Sequence, residues 1–174
     1  MHWADFAAQT LSQRGDKHII ASGITPSGEF HIGHLREILT GDMVTRACRN
    51  AGMDAEFVFI VDSADPLRKV YPFLSDEYEQ YIGCALARIP APDENGKPGN
   101  DGRNYAEHFL EPFLAALEQI DVRPRIIDNY TSYANGEFAE KSRIACEHSE
   151  QIREIIERVS SRELAPDWFP YNPY

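Results

Sequence analysis

The chain has little cysteine. Cys48, Cys84 and Cys146 are the three in 174 residues, odd in number, far apart and without C-x-x-C spacing. That argues against a disulfide framework and gives a zinc site no ligand set, leaving reduced thiols of a cytoplasmic protein as the expectation. Positive charge is also scarce: 17 Lys and Arg face 28 Asp and Glu, a net charge of −11. A stand-alone nucleic-acid binder needs cations to displace phosphate counterions, so this balance is a poor footprint for one. It remains compatible with a nucleic-acid enzyme whose basic residues gather on one face, or whose grip lies in another domain. No apolar run approaches the ~20 residues of a membrane span. The start, Met1-His2-Trp3-Ala4-Asp5, has neither the basic nor the apolar region of a secretory signal. Repeats and low-complexity tracts are missing too. What is present is ordinary for a globular protein, 43% hydrophobic and 26% charged residues, in a chain long enough to bury a core.

The periodicities predict an alternation of helices and strands. Trp3, Phe6, Ala7 and Leu11 have helical spacing. His18 to Gly23 reads as a short buried strand, and Thr25-Pro26-Ser27-Gly28 as a loop. Leu35, Ile38, Leu39, Met43 and Ala47 predict a helix from about His31 to Asn50, closed by Ala51-Gly52. Ala55 to Val61 is a second strand, so the unit is βαβ with a parallel sheet. The Pro-, Gly- and Asp-rich stretch from Pro90 to Arg103 is a loop, Tyr105 to Ile120 a helix, and Pro124 to Asp128 a third strand. Glu137 to Ser161 reads as one long amphipathic helix with a stripe of Ile152, Ile155, Ile156 and Val159. Trp168 to Tyr174 is rich in aromatics and suits a segment that packs against something beyond it.

The chemistry lies in the turn from the first strand into the second helix. Ligands of such sheets bind beyond the carboxyl ends of the strands, and free N–H groups at a helix start favour anionic oxygens. His31-Ile32-Gly33-His34 sits at that junction. Gly33 costs ~1 kcal/mol of helix propensity relative to Ala, and leaves room for a flat ring to approach the backbone. His31 and His34, three residues apart, share one face and can donate to phosphate oxygens as charge develops on them. A chance H-x-G-H is common, but one at a strand-to-helix junction within a βαβ unit is a credible fingerprint.

This tetrapeptide is the HIGH signature of class I aminoacyl-tRNA synthetases and related nucleotidyltransferases. Met1 to Asp5, Ala21 to Gly28, Leu35-Arg36-Glu37, Asp65-Pro66-Leu67-Arg68-Lys69-Val70 and Tyr105-Ala106-Glu107-His108-Phe109 resemble, in that order, the archaeal-type class I lysyl-tRNA synthetases. The resemblance implies an α/β, Rossmann-like (HUP-type) nucleotide-binding fold, only partly present, with a parallel sheet, flanking helices and a helical insertion. Residues 1–130 would be the first half of that catalytic domain and 131–174 a helical connective segment. It implies activation of lysine by ATP, with Mg2+, to lysyl-adenylate and transfer to tRNA(Lys). His31 and His34 would be catalytic and would bind ATP with Gly33, Pro26 and Ser27. Gly23 and Thr25 would line the lysine pocket, with Asp62 as a partner for a substrate ammonium. Arg68 and Lys69 would meet the tRNA, although a surface ion pair is the plainer expectation for both, as is capping or pairing for Asp62 and Asp65. His108 is expected to be structural.

The chain also departs from the family. It carries no KMSKS-type loop, and the cysteine-bearing metal site that follows a Pro-x-Asn-Pro segment in many members has no counterpart after Pro170-Tyr171-Asn172-Pro173. The expectation is a piece of a longer enzyme, missing its C-terminal half and inactive alone. Two alternatives are a small H-x-G-H nucleotidyltransferase and a non-catalytic paralogue that binds or regulates.

Overall fold

The computed structural model describes residues 2–170, which fall into two compact units that divide between Tyr130 and Thr131. In the first, α1 (Trp3–Ser12), β1 (Lys17–Ile24), α2 (Ile32–Asn50), β2 (Asp54–Val61), α3 (Tyr105–Gln119) and β3 (Arg125–Asp128) follow in order. The strands form one parallel sheet in the order β1-β2-β3. This is the expected α/β architecture, a three-stranded parallel sheet with flanking helices.

The main core lies on one face of the sheet, and Val58 is buried on the other. Ile24, Phe57, Phe59 and Val61 pack with Ile38 of α2 and with Phe113 and Leu117 of α3. Each such side chain, once buried, contributes about 1.5–3 kcal/mol. A second cluster joins Ala4 and Ala8 of α1 to Ala47 and Cys48 of α2. On the other face of β1, Ile19, Ala21 and Gly23 are exposed. There a bidentate ion pair, Arg125 to Glu56 at 2.7 and 3.1 Å, ties β3 to β2.

Register decides where polar groups meet. Ile24, Val61 and Asp128 are aligned across the three strands. The residues that follow them, Thr25, Asp62 and Asn129, therefore emerge side by side at the carboxyl edge.

Between β2 and α3 the chain makes two 3-10 turns, Asp76–Tyr81 and Leu86–Arg88, pinned by isolated bridges such as Pro66 with Ala85 and Pro90 with Asn104. Their core is Leu67, Tyr78, Leu86, Ile89 and Tyr105. The Tyr78 hydroxyl donates to the Pro90 carbonyl at 2.9 Å, and burial pushes its pKa up to about 12.

In the second unit the single helix predicted over 137–161 is two, α5 (Ala139–Glu147) and α6 (Ser149–Ser160); α4 (Asn129–Ala134) straddles the boundary. His148 separates them: its ring nitrogen lies 2.9 Å from the Ile144 carbonyl, a side-chain contact that competes with the helix ladder. Arg153 donates to the carbonyls of Ala165 and Pro166 and lies over the Trp168 ring, 5.9 Å from its centroid. Of the aromatic segment expected to pack onward, residues 171–174 lie outside the described residues. Among the described residues no helix is long and apolar enough to cross a membrane.

Candidate functional site

The start of α2 is built from its own histidines. His31 is the N-cap, extended at φ −129° and ψ 177°, and its Nδ1 accepts the Gly33 N–H at 3.0 Å. His34 returns the favour: its Nδ1 accepts the His31 N–H at 3.0 Å. Ser, Thr, Asp and Asn usually fill such capping roles. With imidazoles the choice has a chemical result. A nitrogen that accepts an N–H carries no proton, so the neutral rings of His31 and His34 both hold theirs on Nε2. The rings stack with centroids 3.9 Å apart. Burial lowers the His34 pKa below the ordinary 6.5, the neighbouring His31 lowers it further, and Glu37 opposes both.

Gly33 permits this packing. A Cβ there would meet the His31 ring at 2.8 and 2.9 Å. The flat ring that approaches its backbone in this structure is thus an imidazole of the same turn.

His31 and His34 border an open cleft of about 670 Å³ with Thr25, Ser27, Gly28 and His108. Its far lip carries Tyr71, Phe73, Asp93 and Glu94. Gly96 presses that lip into place at φ +72°, where an added Cβ would come within 2.3 Å of the Phe73 carbonyl oxygen. A ring wall backs His34: Phe30 lies 5.1 Å from it and stacks on Phe113 at 4.3 Å.

Pro26 is fully buried and does not border the cleft, whereas Ser27 and Gly28, which follow it in the same turn, do. Gly33 faces a separate groove beside Trp3, Ile32 and Met43.

The strand edge makes a second polar group. Thr25 donates to Asp65 at 2.9 Å, and Asn129 donates to Asp62 at 2.5 Å. Ser63 donates to Asp128 and accepts the Tyr130 N–H at 3.3 Å. Gly23 leaves space beside them, since a Cβ there would lie 3.6 Å from an Asp62 carboxylate oxygen. Burial raises the Asp62 pKa above 3.8, the Asp65 charge adds to it, and the Asn129 bond partly offsets both. A carboxylate held uphill in this way gains from an ammonium nearby. Arg68 pairs with Asp65 at 3.3 Å in an exposed contact, and Lys69 lies 5.5 Å from the centroid of the Tyr71 ring.

Sequence reasoning missed Asn129, Asp93 and the aromatic lip. Asn129 has no local signal, because its role arises from strand register. Asp93-Glu94-Asn95-Gly96 reads as a turn, yet nothing in it says which cleft the turn borders.

Comparison with known proteins gives the family. A family model described as tRNA synthetases class I (K) matches residues 1–174. The lysine–tRNA ligase of Methanocaldococcus jannaschii is 44% identical over 174 residues, 99% of this chain and 32% of that protein. Those of Methanosarcina barkeri strain Fusaro and Archaeoglobus fulgidus are each 43% identical over 173 residues, 99% of this chain and 31% and 34% of theirs. The chain therefore spans about a third of the length of these curated relatives.

Proposed function

Since the chain belongs to the class I (K) tRNA synthetases, we propose that it is the nucleotide-binding portion of a lysine–tRNA ligase, which activates lysine with ATP and passes it to tRNA(Lys). In the first step a lysine carboxylate oxygen bonds to the α-phosphorus of ATP, the bond to the β-phosphate oxygen breaks, and pyrophosphate leaves. In the second, a ribose hydroxyl at the tRNA 3′ end attacks the lysyl carbonyl and AMP leaves.

The observation that carries this reading is the pair of imidazoles capping α2. Both rings carry their proton on Nε2 and border the cleft at the start of α2. That is a donor set suited to phosphate oxygens whose charge grows during attack. Ser27 stands beside them. Mg2+ would arrive on the triphosphate, since such ions take one or two carboxylates and otherwise phosphate and water. Gly23, Thr25 and Asp62 at the strand edge suit the amino acid: a space, a hydroxyl turned to Asp65, and a carboxylate that an ammonium would relieve. For Arg68 and Lys69 the contacts support the plainer reading, with Arg68 paired to Asp65 and Lys69 beside the Tyr71 ring, and a role at the tRNA acceptor end rests on the family resemblance alone.

The test is binding by the 174-residue chain of a sulfamoyl analogue of lysyl-adenylate against the leucyl analogue, by calorimetry. Preference for the lysyl compound is expected, together with no lysine-dependent ATP–pyrophosphate exchange, because the KMSKS-type half of the phosphate clamp is not among these residues. Equal affinity for both analogues, or nucleotide transfer to a small phosphorylated substrate with no amino acid present, would overturn the reading.

A further inference from the structure

His108 stands out once the cleft is assembled. It lies in the second turn of α3, between Tyr105 and Phe109, which are buried in the cluster of the β2–α3 insertion. Its ring meets Phe109 edge-on at 4.8 Å. Its Nδ1 is buried and has no hydrogen-bond partner. A residue there only to fill space would do better as an apolar ring, since an unpartnered buried nitrogen costs about 1–3 kcal/mol.

The helix is also opened at this point. Pro112 has no N–H, so the His108 carbonyl lacks the usual bond from the residue four positions on. His108 borders both the cleft that holds His31 and His34 and an adjoining recess lined by Phe30, Pro112 and Phe113. It thus stands on the α3 side of the site, facing a cavity whose α2 side is the histidine cap.

The orphaned Nδ1 decides the tautomer. A proton on it would be a buried N–H without an acceptor, a worse arrangement than an unshared lone pair, so the neutral ring places its proton on Nε2. Three imidazoles from the starts of two helices then border one cavity, each with its proton on Nε2.

We propose that His108 is a third phosphate-binding residue of the nucleotide cleft, its Nε2–H donating to a phosphate oxygen from the wall opposite His31 and His34. The inference rests on the reading of this cleft as the ATP site. The carboxylates of Glu29, Asp93 and Glu94 on the same cavity repel a bare polyphosphate, which makes a further donor from α3 more valuable.

The experiment titrates the 174-residue chain and its variants with ATP and, separately, with adenosine, which lacks the phosphates. Wild type is expected to prefer ATP. His108→Phe keeps the ring and loses the donor, and should bind ATP about tenfold or more weakly with adenosine unchanged. His108→Gln, whose amide nitrogen reaches the Nε2 position, should stay within about threefold of wild type, whereas His108→Asn, which reaches only Nδ1, should not. If the phenylalanine variant does not fold, the glutamine and asparagine pair decides. Full ATP affinity in the phenylalanine variant, or equal affinity in the other two, overturns the role of His108 and leaves the ATP reading standing. A wild type that binds ATP no better than adenosine overturns both. Imidazole nitrogen shifts of the free chain give a check without ligand: an Nδ1–H tautomer at His108 overturns the inference.

Discussion

The Tyr105 hydroxyl donates to the Ser27 carbonyl at 2.8 Å across 78 residues of sequence. That bond ties the first turn of α3 to the loop that leads into the histidine cap. Tyr105 is fully buried, and burial holds its hydroxyl far above the ordinary tyrosine range, so it remains a donor throughout the working pH range. Tyr105→Phe removes the donor and strands the carbonyl. Urea denaturation should show a loss of about 1–3 kcal/mol, with weaker ATP binding because Ser27 and Gly28 border the cleft. An unchanged midpoint would show that the loop does not depend on this bond.

The histidine cap separates folding from ligand binding. His31→Ala deletes the N-cap acceptor and should cost about 0.5–2 kcal/mol. His31→Asn restores a capping side chain but not an Nε2–H, so it should recover stability and not ATP affinity. Equal ATP affinity in the asparagine variant and wild type would remove His31 from the site. Acid should weaken the same cap. The folded state holds the His34 pKa below 6.5, so as pH falls through 6.5 the unfolded chain takes up the proton first and stability declines. The decline, followed by thermal melts between neutral and mildly acid pH, should shrink in His34→Gln.

Asp62 carries the opposite sign. Its folded pKa lies above 3.8, so the folded chain binds the proton first, and this carboxylate opposes folding most at neutral pH. Asp62→Asn should therefore raise the neutral-pH melting temperature, by about 2–4 °C for each kcal/mol relieved in a domain of this size. It should also weaken the lysyl-adenylate analogue. A variant that is less stable at neutral pH would show that the Asn129 bond outweighs the burial penalty.

The sequence made the scaffold legible wherever local pattern and tertiary role coincide. Leu35, Ile38 and Leu39 announce α2, and the continuous apolar end of β2 reflects burial on both faces, with Phe57, Phe59 and Val61 packed under α2 and α3 and Val58 buried on the opposite side. The insertion from residue 62 to 104 was opaque for the converse reason: its order comes from isolated bridges between prolines and distant partners, which leave no period. The break at His148 depends on one ring reaching one carbonyl. For the site, the turn that carries His31 and His34 could be found from its neighbours in the chain. The company of His108, Asn129 and Asp93 could not, because α3 packing brings the first, strand register the second and a fold-back of the insertion the third.

The position of β1 at the end of the strand order has a practical side. Its far edge, from Lys17 to Ile24, meets no further strand among the described residues, and Ile19 beside it is 64% exposed. An uncovered rim of this kind is adhesive: its amides and carbonyls are a template for any extended peptide, including another copy of itself. At high concentration the same hydrogen-bonding grammar that built the sheet is expected to favour edge-to-edge association.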